Sequence, residues 1–244
     1  MFRATYMTAW RVLLQLFHDP RTLGLLWLVP TLLLVLLRYM YDNQRPLFDV
    51  IGPQLLVIFP FVTMFLVTSV TTLRERTRGT LERLLTTPMT KLSFIVGYAL
   101  AFGLMATIQI GLISLVAFAW LGLNMAGPAW LVACTALVVA VLGVGLGLFV
   151  SAFARTEFQA VQFMPAFIFP QFLLCGLLVA RDNMADWLRW LSDIFPLTYA
   201  VEAVKELSAH STITDTLQKD LLILGCWLVG ALVVASLTLR RRSE

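Results

Sequence analysis

Charged side chains are scarce in this sequence of 244 residues: 13% are Asp, Glu, Lys or Arg, against roughly a quarter in an average soluble domain. Histidine occurs twice, as His18 and His210, and cysteine three times, as Cys134, Cys175 and Cys226. So few ligands, with no metal-ligand spacing, offer neither a metal centre nor a disulfide framework; the cysteines sit inside apolar runs as small hydrophobes. A membrane-embedded enzyme would need converging acids or histidines, and neither His18 and His210 nor the acids Asp182, Asp186 and Asp193 supply that pattern. A Gly-x-x-x-x-Gly-Lys-Ser/Thr phosphate loop is also missing, so the sequence carries no ATPase site of its own. Internal repeats, low-complexity linkers and a segment able to form a soluble core are absent as well. Arg3, Arg11, His18 and Asp19 interrupt the first twenty residues, which excludes the uninterrupted apolar region of a signal peptide.

What is present is apolar. Hydrophobic residues make up 59% of the chain, and the mean hydropathy is +0.85. A folded soluble domain leaves much of its area in water, so lipid must be the solvent for most of this surface. The expected fold is therefore all-α and polytopic. Six stretches approach the roughly 20 apolar residues that cross a hydrocarbon core: Leu23–Tyr41, Ile51–Leu73, Leu92–Leu121, Trp130–Phe153, Gln159–Ala180 and Leu221–Leu239. The fifth is interrupted by Gln162, Pro165, Pro170 and Gln171, and a kink is expected there.

With six spans and the N-terminus inside, segments 1–22, 74–91, 154–158 and 240–244 hold twelve of the 18 Lys and Arg, while nine of the 14 acids fall on the other side. The asymmetry follows the positive-inside rule and places both termini in the cytoplasm of a cell-membrane protein. A basic stripe for nucleic acid would instead cluster on one domain face. Residues 1–22 read as an interfacial amphipathic helix with Tyr6, Trp10, Leu13, Leu14 and Phe17 on one side. Residues 181–220 read as two short amphipathic helices, broken at Phe195-Pro196, that dip into the outer leaflet. The whole chain reads as one transmembrane domain.

The segment after the second span, 74–91, runs Arg74-Glu75-Arg76-Thr77-Arg78-Gly79-Thr80-Leu81-Glu82-Arg83-Leu84-Leu85-Thr86-Thr87-Pro88. Thr80 can cap a short helix, Leu81, Leu84 and Leu85 share a face, and Pro88 follows its end. An apolar stripe rimmed by charge suits docking into a groove on another protein. The bland alternative is a solvated basic loop. This run resembles the cytoplasmic signature of type-2 ATP-binding-cassette exporter permeases, the family that includes drug-resistance permeases. Asp19-Pro20-Arg21 and Phe195-Pro196-Leu197-Thr198-Tyr199 with Glu202-Ala203 add to the likeness, which covers nearly the whole chain. The resemblance implies that Arg78, Gly79, Thr80, Leu81, Glu82, Arg83, Leu84 and Leu85 form the coupling helix seated on a separate ATPase subunit. It also implies that ATP and Mg are bound by that partner, and that a second permease, identical or a sister, completes the assembly. Small amphipathic or hydrophobic cargo is expected, with a lipid-linked glycan or envelope component as the alternative.

Polar groups inside a membrane span are costly and are candidates for a substrate path. Gln54, Gln109, Gln162 and Gln171 qualify, with Phe163 and Phe167 nearby; interhelical hydrogen bonds are the competing reading. The span interiors otherwise nearly lack ionised groups, which disfavours proton- or sodium-coupled transport. Gly143 and Gly147, with Gly145 between them, form a small-residue face for helix packing, within the chain or at a dimer seam.

Overall fold

The computed structural model describes residues 2–79 and 90–238, and among these the chain is helical without strands. The described residues form nine α-helices: α1 (Phe2–Phe17), α2 (Pro20–Met40), α3 (Arg45–Thr77), α4 (Lys91–Leu115), α5 (Ala129–Val150), α6 (Glu157–Leu174), α7 (Asp186–Asp193), α8 (Pro196–Ala209) and α9 (Asp215–Thr238). A π-helical turn, Val116–Trp120, extends α4. Five of the helices, α2, α3, α4 with its extension, α5 and α9, are long and apolar enough to cross a membrane.

The expected span at Gln159–Ala180 is shorter than its apolar run. Helix α6 stops at Leu174 after 18 residues, about 27 Å of rise, and Gly176 turns the chain with φ +88°. It does not reach the length and hydropathy of the other five. Helix α3 departs in the opposite sense. It continues through Arg74, Glu75 and Arg76 to Thr77 over 33 residues, so the first turn of the expected loop is helix.

The centre of the bundle is the pair α3 and α5. In each, 61% of the most apolar window is buried, against 22% in α2 and 17% in α9. The two central helices meet across glycine. A methyl added at Gly143 would lie 2.5 Å from the Phe61 carbonyl oxygen, and one at Gly147 would lie 2.5 Å from that of Phe65. Gly145 faces the other way, toward Ala231 of α9. The small-residue face thus serves packing inside the chain. Phe61, Phe65, Leu142 and Val144 are fully buried around it. On the outside, Leu25, Leu28, Leu32 and Leu36 of α2 and Leu222, Val229, Val233 and Leu237 of α9 are exposed, as lipid-facing or partner-facing surface requires. Cys134 and Cys226 are also exposed, whereas Cys175 is buried.

Helix α1 packs against α4: the space of a Gly97 side chain is taken by Thr8 Cβ at 2.8 Å. Ala9, Val12 and Leu16 point inward, while Tyr6, Trp10, Leu14 and Phe17 are exposed. Helix α8 is buried more deeply than its short length suggests. Leu197, Ala200, Val201, Val204 and Leu207 are at most 2% exposed, packed on α3, α5, α6 and α9. That apolar stripe meets protein. Of these two short helices, α7 presents large apolar groups outward, with Trp187 and Trp190 each 68% exposed.

The glycine contact predicts a graded mutational series. Gly147→Val puts a branched side chain against the Phe65 carbonyl, an overpacking that costs about 1–3 kcal/mol or more. Gly225→Ala, where nothing lies within 4 Å, costs nothing and gains up to about 1 kcal/mol from helix propensity. Thermal midpoints of the detergent-solubilised chain separate the two.

Candidate functional site

Ion pairs divide the bundle into two distinct ends. At one end, Arg11 of α1 reaches Glu75 of α3 at 3.0 Å, and Arg74 of α3 grips Glu157 of α6 through two parallel hydrogen bonds of 2.9 Å. Neighbouring residues on a helix point about 100° apart, so Arg74 and Glu75 hold different partners. The last turn of α3 therefore ties α1 to α6. Glu75 is buried and Arg11 is partly exposed; the Arg74–Glu157 pair is more open to water. Nε and Nη2 of Arg76 are buried beside them, with no hydrogen-bond partner among the described residues.

Asp19 organises the junction of α1 and α2. Its carboxylate accepts the Thr22 amide at 3.2 Å and the Thr22 hydroxyl at 2.7 Å, capping α2 ahead of Pro20. The hydroxyl contact, followed by the amide, holds the carboxyl below its ordinary range. Next to it, His18 Nδ1 lies 2.7 Å from the Leu14 carbonyl oxygen.

Of the expected docking residues, Arg78 and Gly79 lie at the end of α3. The Arg78 amide donates to the Arg74 carbonyl and the Gly79 amide to that of Arg76. Gly79 takes φ +68°, the left-handed conformation that ends helices and favours glycine. Thr80, Leu81, Glu82, Arg83, Leu84 and Leu85 lie outside the described residues.

The opposite end is held by a second polar cluster. Arg38 donates to the Leu121 carbonyl at 3.3 Å, Asp49 accepts the Asn124 amide at 3.1 Å, and Gly127 donates to the Leu207 carbonyl at 2.8 Å. Arg181 bridges Asp193 of α7 and Glu202 of α8. Partial burial disfavours the Arg181 cation, but Glu202 and then Asp193 outweigh it and raise its pKa. Lys205 donates to the Gly176 carbonyl at 2.6 Å, and the Ser192 hydroxyl to that of Leu174 at 2.8 Å. Helices α6, α7 and α8 are thereby clasped together.

The expected substrate-path residues are dispersed in their hydrogen bonding. Gln54 donates to the Val50 carbonyl at 2.9 Å and Gln171 to the Phe167 carbonyl at 2.8 Å, each within its own helix. Gln109 accepts the Thr63 hydroxyl at 3.0 Å and so links α4 to α3. One amide atom on each, Gln54 Oε1, Gln109 Nε2 and Gln171 Oε1, stays buried without a partner among the described residues. Gln162 is exposed. Phe163 and Phe167 meet edge to face at 6.4 Å. Sequence reasoning missed the pairing of Arg11, Glu75, Arg74 and Glu157; the only signal was opposite charge at the ends of separate apolar runs.

A family model described as ABC-2 type transporter matches residues 3–207. Among curated proteins, the chain is 26% identical over 207 residues to ABC transporter G family member 20 of Dictyostelium discoideum, covering 84% of this chain and 28% of that protein. It is 28% identical over 169 residues to the Probable multidrug ABC transporter permease YbhR of Escherichia coli (strain K12), covering 69% of this chain and 46% of that one. Against the linearmycin resistance permease protein LnrN of Bacillus subtilis (strain 168) the identity is 26% over 162 residues, 66% of this chain and 42% of the relative. The chain thus spans less than half the length of each of these three relatives.

Two measurements test the charged end. Reversing Arg74 to Glu or Glu157 to Arg lowers the thermal midpoint, and the double reversal restores part of it, by about 0.5 kcal/mol for a pair this exposed. Asp19→Ala costs about 1 kcal/mol at neutral pH. Because the folded carboxyl titrates below its unfolded value, that contribution is complete above about pH 4. It fades as the pH falls through the folded value, and the two midpoints converge in acid.

Proposed function

This chain belongs to the ABC-2 type transporter family, and we propose that it serves as the permease of an ATP-driven exporter powered by a separate ATP-binding subunit. The observation that carries this reading is the end of α3. A central helix ends at Arg78-Gly79, and the Thr80-Leu81-Glu82-Arg83-Leu84-Leu85 run follows at once. Its leucines supply buried contact on the ATPase and its charges set register. Arg74 and Glu75, one turn earlier, connect that helix to α6 and α1. Force applied at the run reaches three helices through contacts already made.

In this mechanism ATP, with Mg, binds to the partner ATPase. Closure of the ATPase biases the bundle between inward-facing and outward-facing packings, a population shift driven by differential binding. Helix α6, 18 residues long with Pro165 and Pro170 inside it, completes a sixth crossing, and both termini lie on the cytoplasmic side of a cell membrane. A second permease subunit, a copy or a sister chain, supplies the other half of the path. Helix faces α2 and α9 expose enough apolar surface for such a partner or for lipid. The names of the bacterial relatives, multidrug and linearmycin resistance, support a drug-like amphipathic cargo, with a lipid-linked glycan as the second reading. Gln54, Gln109 and Gln171 retain unsatisfied amide groups suited to touching it in transit.

Co-reconstitution with the partner ATPase tests the reading. Leu81→Asp and Glu82→Arg are each expected to cut transport at least tenfold while helical content and the thermal midpoint persist. Transport and ATP turnover that stay coupled in both variants would refute the docking assignment.

A further inference from the structure

Beside the end of α3 a cleft of about 490 Å³ opens between α1, the start of α2, α3 and Val161 of α6. Its size falls within the range of small-molecule sites. The polarity of its wall changes along α3. Leu66, Val67 and Val70 line one stretch of it together with Val161, whereas Arg74 and Arg78 line the stretch nearer the end of α3. From Leu66 to Arg78 the helix rises about 18 Å, so apolar and ionic regions follow one another along the cleft.

The acids near these arginines are already engaged. Asp19 accepts two hydrogen bonds from Thr22, Glu75 is paired with Arg11, and Glu157 with Arg74. Arg74 spends Nε and Nη2 on that pair, which leaves Nη1. The Arg78 side chain is exposed; it attracts Glu157 but makes no hydrogen bond or ion pair with another described residue. The unspent hydrogen-bonding capacity of these arginines is cationic and donating. Exposed Tyr6, Trp10 and Phe17 on the adjoining α1 set the level of this end of the cleft, because such aromatics settle at headgroup depth.

We propose that this cleft binds an anionic phospholipid of the adjacent leaflet, its phosphate at Arg74 and Arg78 and one acyl chain along Leu66, Val67, Val70 and Val161. A soluble anion would leave the aliphatic wall unused, and a lipid without net charge would gain less from Arg78. The assignment rests on the chain lying in a membrane and is independent of coupling to an ATPase.

The test is native mass spectrometry of the full chain released from nanodiscs containing equal phosphatidylglycerol and phosphatidylcholine. Wild type is expected to retain phosphatidylglycerol about tenfold over phosphatidylcholine, the scale of one charge-assisted contact. Arg78→Gln, an exposed change that spares packing, brings the ratio to within about twofold. Val70→Trp fills the apolar stretch and reduces retention of both lipids, while Arg45→Gln at the opposite end leaves the ratio intact. Failure of millimolar glycerol phosphate to displace the lipid supports the need for a chain. Equal retention of the two lipids by wild type would overturn the proposal. So would a ratio unchanged in Arg78→Gln, retention of both lipids unchanged in Val70→Trp, or displacement by glycerol phosphate alone.

Discussion

Everything else in this bundle is arranged around the approach of two helix backbones. Helices α3 and α5 come so close at Gly143 and Gly147 that carbonyl oxygens occupy the space of the missing methyls. In lipid there is little hydrophobic drive between helices, so shape complementarity and dispersion must hold them. The glycines permit both, and the large side chains Phe61, Phe65 and Met64 fill the volume beside the seam. Helix α9 then packs on the face of α5 that Gly145 leaves open, and α4 and α8 pack on α5 as well.

Among the described residues the ion pairs lie at the ends, because a buried ion inside the hydrocarbon region would need a partner or a large compensation. The two ends solve this differently. Near Arg74 the pairs link helices that are far apart in the chain, and they leave basic groups over. Near Arg181 the pairs are compact and join sequential helices, with Lys205 and Ser192 satisfying carbonyls freed where α6 ends. The first arrangement suits a surface that must communicate with something else; the second suits a closed clasp.

Much of this was legible in the sequence. The five long helices follow from apolar length, and the small-residue face at Gly143 and Gly147 from its spacing. The stop of α6 at Leu174 was not, since Cys175-Gly176 is followed by more apolar residues and hydropathy does not register a left-handed turn. The burial of α8 was hidden for a related reason: an amphipathic stripe of Leu, Ala and Val looks the same whether it meets lipid or protein. The pair Arg74–Glu157 joins residues 83 apart, and no local pattern carries that information. Charge counting identified the end, but only the fold chose the partners. The glutamines show the reverse. Their cost in lipid was evident, yet Gln54 and Gln171 discharge part of it onto their own helices.

Helix α3 has one more geometric property. Phe61, whose carbonyl meets Gly143, stands midway between Arg45 and Thr77, and Pro60 beside it removes one backbone hydrogen bond of the helix. One of the two tightest approaches of the central strut thus lies at the middle of a rod about 50 Å long, where a pivot would sit. A tilt of about 10° about that point would carry each tip by roughly 4 Å, in opposite directions. Narrowing at one mouth of the bundle would then be widening at the other, without any change in the length or fold of the helix that connects them.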